Sequence, residues 1–285
     1  MDALRVENLR KSFPGFQLMN VSFAVEQGHV MGLIGRNGAG KTTVLKSLLN
    51  LVHPDSGRIE YWGTDISETG VGNLQRIGYA AGTNTYYKKK TLNDIVSVTR
   101  RFYSEWNDSA WEKFRRLFAL DMSKRPEQLS EGMKVKFNLA LALSHGAKIL
   151  ILDEPTSGLD PVSRNDVLEI LLTLAHAGTS ILFSTHIISD LEKCADDITY
   201  LRHGRIVFSG DEQGLTRSYV LAHGHCLSSG QRKLVVGHSL TKEGDAWLIP
   251  VPVIPEFPDH RISQPSLEEI MVNMEGDGHA DTASV

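Results

Sequence analysis

The segment Gly35-Arg36-Asn37-Gly38-Ala39-Gly40-Lys41-Thr42 constrains the fold of this chain more than any other. It matches G-x-x-x-x-G-K-[ST]. It stands between a short apolar run, Val30-Met31-Gly32-Leu33-Ile34, and the helix-prone stretch Thr42-Thr43-Val44-Leu45-Lys46-Ser47-Leu48-Leu49. Strand, glycine loop and helix in that order make an anion cradle. Glycines let successive backbone N–H groups turn inward around phosphate oxygens, and the helix start adds its positive dipole end. On this reading Gly35, Asn37, Gly38, Ala39, Gly40 and Thr43 shape the cradle. Lys41 reaches the β- and γ-phosphates, and Thr42 sets its hydroxyl on Mg2+. A glycine-rich turn with a chance lysine would account for neither the strand before it nor the helix after it.

Ile149-Leu150-Ile151-Leu152-Asp153-Glu154 is a second apolar strand, and it ends in two carboxylates. Alone, it would read as a strand that simply meets solvent. Beside a phosphate loop, Asp153 is placed to hold the metal. Glu154 is then placed to orient and deprotonate an attacking water.

Composition removes several other classes. With 41% hydrophobic and 22% charged residues the 285-residue chain is ordinary globular material, long enough for about two domains. A net charge of −4 leaves no field to drive binding to nucleic acid or anionic lipid. Cys194 and Cys226 match no zinc spacing, and two thiols in such a length read as reduced and cytosolic. The start, MDALRVENLRKSF, has no apolar signal core, and no run reaches the roughly 18 residues of a membrane span. Work at a membrane is therefore expected to go through a partner.

Leu4, Val6 and Leu9, then Val21, Phe23 and Val25, predict N-terminal hairpin strands. Arg58 to Trp62 predicts another. From about 91 to 146 the pattern is helical, opened by a capping box at Thr91-Leu92-Asn93-Asp94. Trp106, Trp111, Phe114, Leu117 and Phe118 recur there as an expected apolar face. Lys148 to Leu152, a helix over Asp166 to Leu174, and Thr179 to Ser184 restore strand–helix alternation, which predicts a parallel sheet. Further on, Leu234-Val235-Val236 is expected to pair with Ala246-Trp247-Leu248-Ile249 as a hairpin. Pro250, Pro252, Pro255 and Pro258 argue against regular structure after it. Ser266 with Glu269 predicts a last helix with Leu267, Ile270, Met271 and Met274 on one face.

Leu129-Ser130-Glu131-Gly132-Met133-Lys134 resembles the ABC signature, usually L-S-G-G-Q. Ser157-Gly158-Leu159-Asp160 resembles the D-loop, and Thr185-His186 the switch histidine. With the glycine loop and the acidic strand they stand in the order and spacing of an ABC ATP-binding subunit, a resemblance covering about residues 3 to 210. It implies an α/β P-loop ATPase core with an antiparallel β-subdomain. On it, 1–210 is the ATP-binding domain with a helical insert at about 91–146, 211–275 a small C-terminal accessory domain, and 276–285 a disordered tail. Met31 to Gly35, Ala140 to His145, Phe183 to His186 and the Ser266-Leu267-Glu268-Glu269-Ile270 ending resemble bacterial type-2 ABC exporters linked to antimicrobial peptide export or immunity.

The resemblance implies ATP with Mg2+, hydrolysed with Glu154 and His186 as catalytic residues and Thr42 and Asp153 at the metal. It implies a second ATP-binding subunit, identical or different, packed head to tail. Ser130 and Gly132 then meet the γ-phosphate of ATP held by the partner, and Asp160 communicates across the interface. Phe13 stands where the family stacks an aromatic ring on adenine; the alternative is a core phenylalanine. An integral membrane permease is the implied docking partner, which places the chain in the cytoplasm on the inner face of the membrane, with no nucleic acid partner.

Three residues depart from the family pattern. Gly82 stands at the Q-loop glutamine position, with Thr83 or Asn84 as substitutes if the loop bends. Glu131 replaces a signature glycine, and its carboxylate would repel a γ-phosphate unless it points away. Met133 replaces the signature glutamine. These changes motivate an alternative: a nucleotide-gated regulatory module with little or no hydrolysis. The resemblance also admits a soluble ABC protein acting on DNA or ribosomes, but those relatives usually carry two cassettes or a long coiled-coil insert, and this sequence shows neither. His223-Gly224-His225-Cys226 with His238 could ligate zinc, but an exposed strand or turn is favoured. Lys88-Lys89-Lys90 reads as a solvated loop, with docking to the membrane partner as its alternative.

Overall fold

In the computed structural model, which describes residues 1–69, 72–81, 89–224, 226–241 and 244–275, the N-terminal alternation folds as an antiparallel pair. β1 (Asp2–Phe13) lies against β2 (Phe16–Glu26), with Leu4, Val6, Leu9, Val21, Phe23 and Val25 all buried. β3 (Val30–Ile34) passes into a second sheet and leads to α1 (Lys41–Leu48). The chain then returns to the first sheet through β4 (Ser56–Tyr61) and β5 (Thr64–Asp65), giving the order β2-β1-β4-β5. After the single turn α2 (Ile66–Thr69), β6 (Ile77–Ala81) joins the second sheet.

Residues 91 to 146 carry helices and turns and no strand. α3 (Leu92–Thr99) opens on Thr91, whose hydroxyl accepts from Asp94 N while Asp94 accepts from Thr91 N. α4 (Asp108–Leu117) and α5 (Glu131–Ser144) follow. Trp111 and Phe118 are buried, and Trp111 meets Phe137 of α5 edge to face at 6.2 Å. Leu117, expected on the same face, is 66% exposed. At 100° per residue, positions 111, 114 and 118 fall within about 60° of one another, and 117 lies about 60° beyond Phe114 and 120° from Trp111, past the edge of that face.

β7 (Ile149–Asp153), α6 (Pro161–His176), β8 (Ser180–Thr185), α7 (Ile188–Cys194), β9 (Asp197–Arg202) and β10 (Arg205–Asp211) complete the second sheet. Its order is β10-β9-β3-β8-β7-β6, with β9, β3, β8, β7 and β6 parallel. β3 and β8 are buried along their whole length, as strands covered on both faces must be. α6 starts earlier than the apolar pattern suggests, at Pro161, because Asp160 caps it and proline suits the first helical position. The register sets Ile34 opposite Thr185, Ser184 opposite Asp153 and Asp153 opposite Ala81. The carboxyl ends of four strands therefore stand side by side, where open parallel sheets bind ligands.

The chain divides into two units at Ser209/Gly210. The second contains α8 (Glu212–Ser218), β11 (Tyr219–His223), α9 (Ser229–Arg232), β12 (Gly237–Thr241), β13 (Gly244–Pro250), β14 (Arg261–Ser263) and α10 (Leu267–Glu275). Its antiparallel sheet, β12-β13-β11-β14, covers a core of Val220, Ala222, Leu227, Ile249 and Phe257. The hairpin forms, but its first strand is Gly237–Thr241 rather than residues 234–236. Leu234 and Val235 pack on the core from the preceding turn instead. The prolines do not abolish order either: Val251–Glu256 is a 3-10 helix, with Pro250 at its N-cap and Pro252 in its first turn, where no N–H donor is needed, and Pro255 inside it. α10 has the expected cap, with Ser266 N donating to Glu269 at 2.8 Å, and Leu267, Ile270, Met271 and Met274 are buried. Residues 276–285 lie outside the described residues. Among the described residues no helix is long and apolar enough to cross a membrane.

Candidate active site

The loop between β3 and α1 is held by shape at its base and open at its tip. Gly40 has φ 113°, and a Cβ there would lie 2.6 Å from the Phe16 ring and 2.8 Å from Leu18. Gly38 has φ 86° and nothing within 4 Å of a notional Cβ. Both conformations favour glycine. Gly35 and Ala39 are buried while Asn37 is exposed. The Ala39 carbonyl accepts from Gly204 N at 3.0 Å, which pins the loop to the β9–β10 turn. Thr43 lies in the first turn of α1, where backbone N–H groups lack intrahelical partners. Lys41 is 5% exposed; its ammonium donates to Gly35 O at 2.7 Å and lies 3.4 Å from Glu154 Oε1.

The acids reach the same point from β7. Thr42 Oγ1 donates to Asp153 Oδ2 at 2.9 Å. Ser184 Oγ donates to Asp153 Oδ1 at 2.6 Å and accepts from Glu154 N at 2.9 Å. Glu154 has φ 52°, a left-handed conformation uncommon for a side chain of its size. That turn lets its carboxylate lie between Lys41 and His186, whose Nδ1 is 3.0 Å from Glu154 Oε2. Lys41, Thr42, Asp153, Glu154 and His186 thus form one connected cluster.

Ser184 did not stand out in the sequence, although it ends an apolar strand just before Thr185-His186. Thr156, Arg164 and Asp190 were also missed. Their signal is a buried carboxylate: Asp190 is 0% exposed and accepts from Thr156 Oγ1 at 2.5 Å and from Arg164 Nε.

The signature residues bond locally. Ser130 Oγ caps α5 by accepting from Met133 N at 3.3 Å. Gly132 is buried, with Ser163 3.4 Å from a notional Cβ. Glu131 points to Lys134, at 2.6 Å, so its charge is paired one helical turn on. Asp160 accepts from Val162 N and Ser163 N at 3.0 Å, and hydrogen bonding from Ser163 holds its carboxyl below the usual range. Phe13 ends β1 and is 41% exposed, with Lys11 Nζ 5.6 Å from its ring centroid, so it is not a core phenylalanine.

Gly82, Thr83, Asn84 and Lys88 lie outside the described residues; β6 ends at Ala81, opposite Asp153. His225 does too. His238 is engaged elsewhere, 2.8 Å from Asp245 and stacked on Trp247, and His223 bonds Ser263 at 2.7 Å. Among the described residues no three His, Cys, Asp or Glu side chains are grouped to hold a metal.

A family model described as ABC transporter matches residues 18–157. The ABC transporter ATP-binding protein YtrB of Bacillus subtilis (strain 168) is 31% identical over 219 residues, 76% of this chain and 75% of its own. The lantibiotic transport ATP-binding protein SrtF of Streptococcus pyogenes is 33% identical over 213 residues, 74% of this chain and 92% of its own. Among solved structures, an ATP binding subunit of an ABC transporter is 29% identical with a TM-score of 0.69, over 75% of this chain and 92% of its own.

Proposed function

Because the chain belongs to the ATP-binding subunits of ABC transporters, which hydrolyse ATP to power transport, we propose that it drives export of antimicrobial peptides through a separate membrane permease. The observation that carries the catalytic part is the single cluster of Lys41, Thr42, Asp153, Glu154 and His186. The likeness to the lantibiotic transport protein supports the cargo class. Docking on a permease would hold the chain at the inner face of the membrane, and the lack of a membrane-crossing helix among the described residues accords with that.

The residues fit the ligands. Gly38 leaves open space for phosphate oxygens, Gly40 lets the loop pack on Phe16 and Leu18, and Lys41 supplies a charge-assisted donor. Thr42 and Asp153 present oxygens, the donors Mg2+ prefers. A bound Mg2+ would neutralise charge on the β- and γ-phosphates. Glu154 orients and deprotonates the attacking water, and His186 fixes the Glu154 carboxylate from the other side. Phe13 offers its exposed ring to adenine. Ser130, Gly132 and Asp160 serve the site of a second subunit. The regulatory alternative loses one ground, since Glu131 is paired with Lys134. Purified chain should release phosphate from Mg-ATP, and Glu154→Gln should cut the rate by about a hundredfold or more. Release that survives Glu154→Gln would overturn the assignment of the base.

A further inference from the structure

Asp190 has no place in the chemistry above, yet it is a fully buried carboxylate. Such a group is costly unless paired and hydrogen-bonded, so its partners show what it holds together. Thr156, 1% exposed, donates its hydroxyl at 2.5 Å. Arg164 donates Nε to the other carboxylate oxygen and Nη2 to Ser189 Oγ at 2.5 Å. Thr156 follows Glu154 by two residues. Arg164 N donates to Asp160 O at 2.9 Å in the first turn of α6, the helix Asp160 caps. Asp190 itself lies on α7, four residues after His186. One carboxylate therefore joins the loop after the general base, the helix behind the D-loop and the helix behind the switch histidine.

The two sides of the His186–Glu154 contact lie on separate strand-exit loops. Ser184 fixes the Glu154 backbone on the strand side. Asp190 fixes the far side through Thr156. We propose that Asp190 is a positioning residue that, through Thr156 and Arg164, keeps His186 seated on Glu154 and links that contact to the D-loop helix. The inference rests on Glu154 and His186 being the hydrolytic pair.

Thr156→Val tests it gently, because it removes one hydroxyl, preserves shape and leaves Asp190 paired with Arg164. It should lower kcat about fivefold or more while KM and ATP affinity stay within about twofold, and Thr156→Ser should restore most of the rate. The imidazole NMR resonances of His186, assigned by their loss in His186→Ala, should move in Thr156→Val and not in Thr156→Ser. These signals need no turnover, so a merely structural role is separable. Unchanged kcat or unmoved His186 resonances in Thr156→Val, with wild type hydrolysing ATP, would overturn the positioning role and leave the hydrolytic pair intact. A wild type that releases no phosphate would overturn both.

Discussion

Lys41 is almost wholly buried, and its ammonium is satisfied by the Gly35 carbonyl and the Glu154 carboxylate. Phosphate oxygens are stronger partners for it than a neutral carbonyl, because the hydrogen bond gains charge on both sides. Lys41→Ala should therefore weaken ATP binding at least about tenfold, near 1.4 kcal/mol, by calorimetry. Equal affinity in the variant would remove the phosphate-loop assignment. Residues like Lys41, Thr42, Asp153 and Glu154 were legible because each motif is local in sequence and its chemistry follows from its neighbours. Ser184, Thr156 and Asp190 were not. Their roles arise from cross-strand register and burial, as when Ser184 falls opposite Asp153. For Glu131 the sequence left both directions open. Its partner Lys134 stands three residues on, the spacing at which helical ion pairs form.

The signature helix α5 is anchored differently at its two ends. Ser130 caps the start, and Ser130→Ala should cost about 1 kcal/mol in urea unfolding, apart from any effect on turnover. An unchanged unfolding free energy would mean that the 3.3 Å cap contributes nothing. At the other end His145 is buried, stacks on Tyr103 at 3.8 Å and shares Nδ1 with the Gln75 carbonyl at 3.1 Å. Burial pushes its imidazole below the ordinary 6.5. The native state thus resists a proton that the unfolded chain accepts near pH 6.5, so stability should fall as pH drops below that value. His145→Phe keeps a ring for the stack and removes the titration. Its urea midpoint should change less between pH 7.5 and 5.5 than that of wild type, and equal changes would exclude His145 as the cause. Element existence followed from periodicity here, while the exposed Leu117 shows that a helical face must be measured in degrees and not in recurrence alone.

For the molecule as a whole, alternating strands and helices were enough to read the parallel sheet, since βαβ connections leave few other solutions. The second unit was read less well. Its hairpin begins at Gly237, where a Cβ would lie 2.0 Å from the Asn273 carbonyl of α10, and no local pattern announces so distant a contact. The signature presents the same problem at larger scale. Ser130 bonds Met133 and Glu131 bonds Lys134, so the bonds of this segment stay within its own helix. If Ser130 and Gly132 serve a γ-phosphate held by another copy, hydrolysis requires an assembly of two chains related by a closed twofold contact. ATP bound in such a contact would stabilise the dimer by mass action, and its cleavage would release the dimer. Glu154→Gln should preserve binding, block cleavage and remove a negative charge from beside the γ-phosphate. Light scattering should then show the variant's mass rise from one chain to two on adding Mg-ATP, and stay at one chain with ATP and a chelator. Wild type should show the rise weakly, because it consumes the ligand. A variant that remains a single chain at saturating Mg-ATP would show that this subunit does not close on its own copy, and would direct the search to a second, different ATP-binding chain.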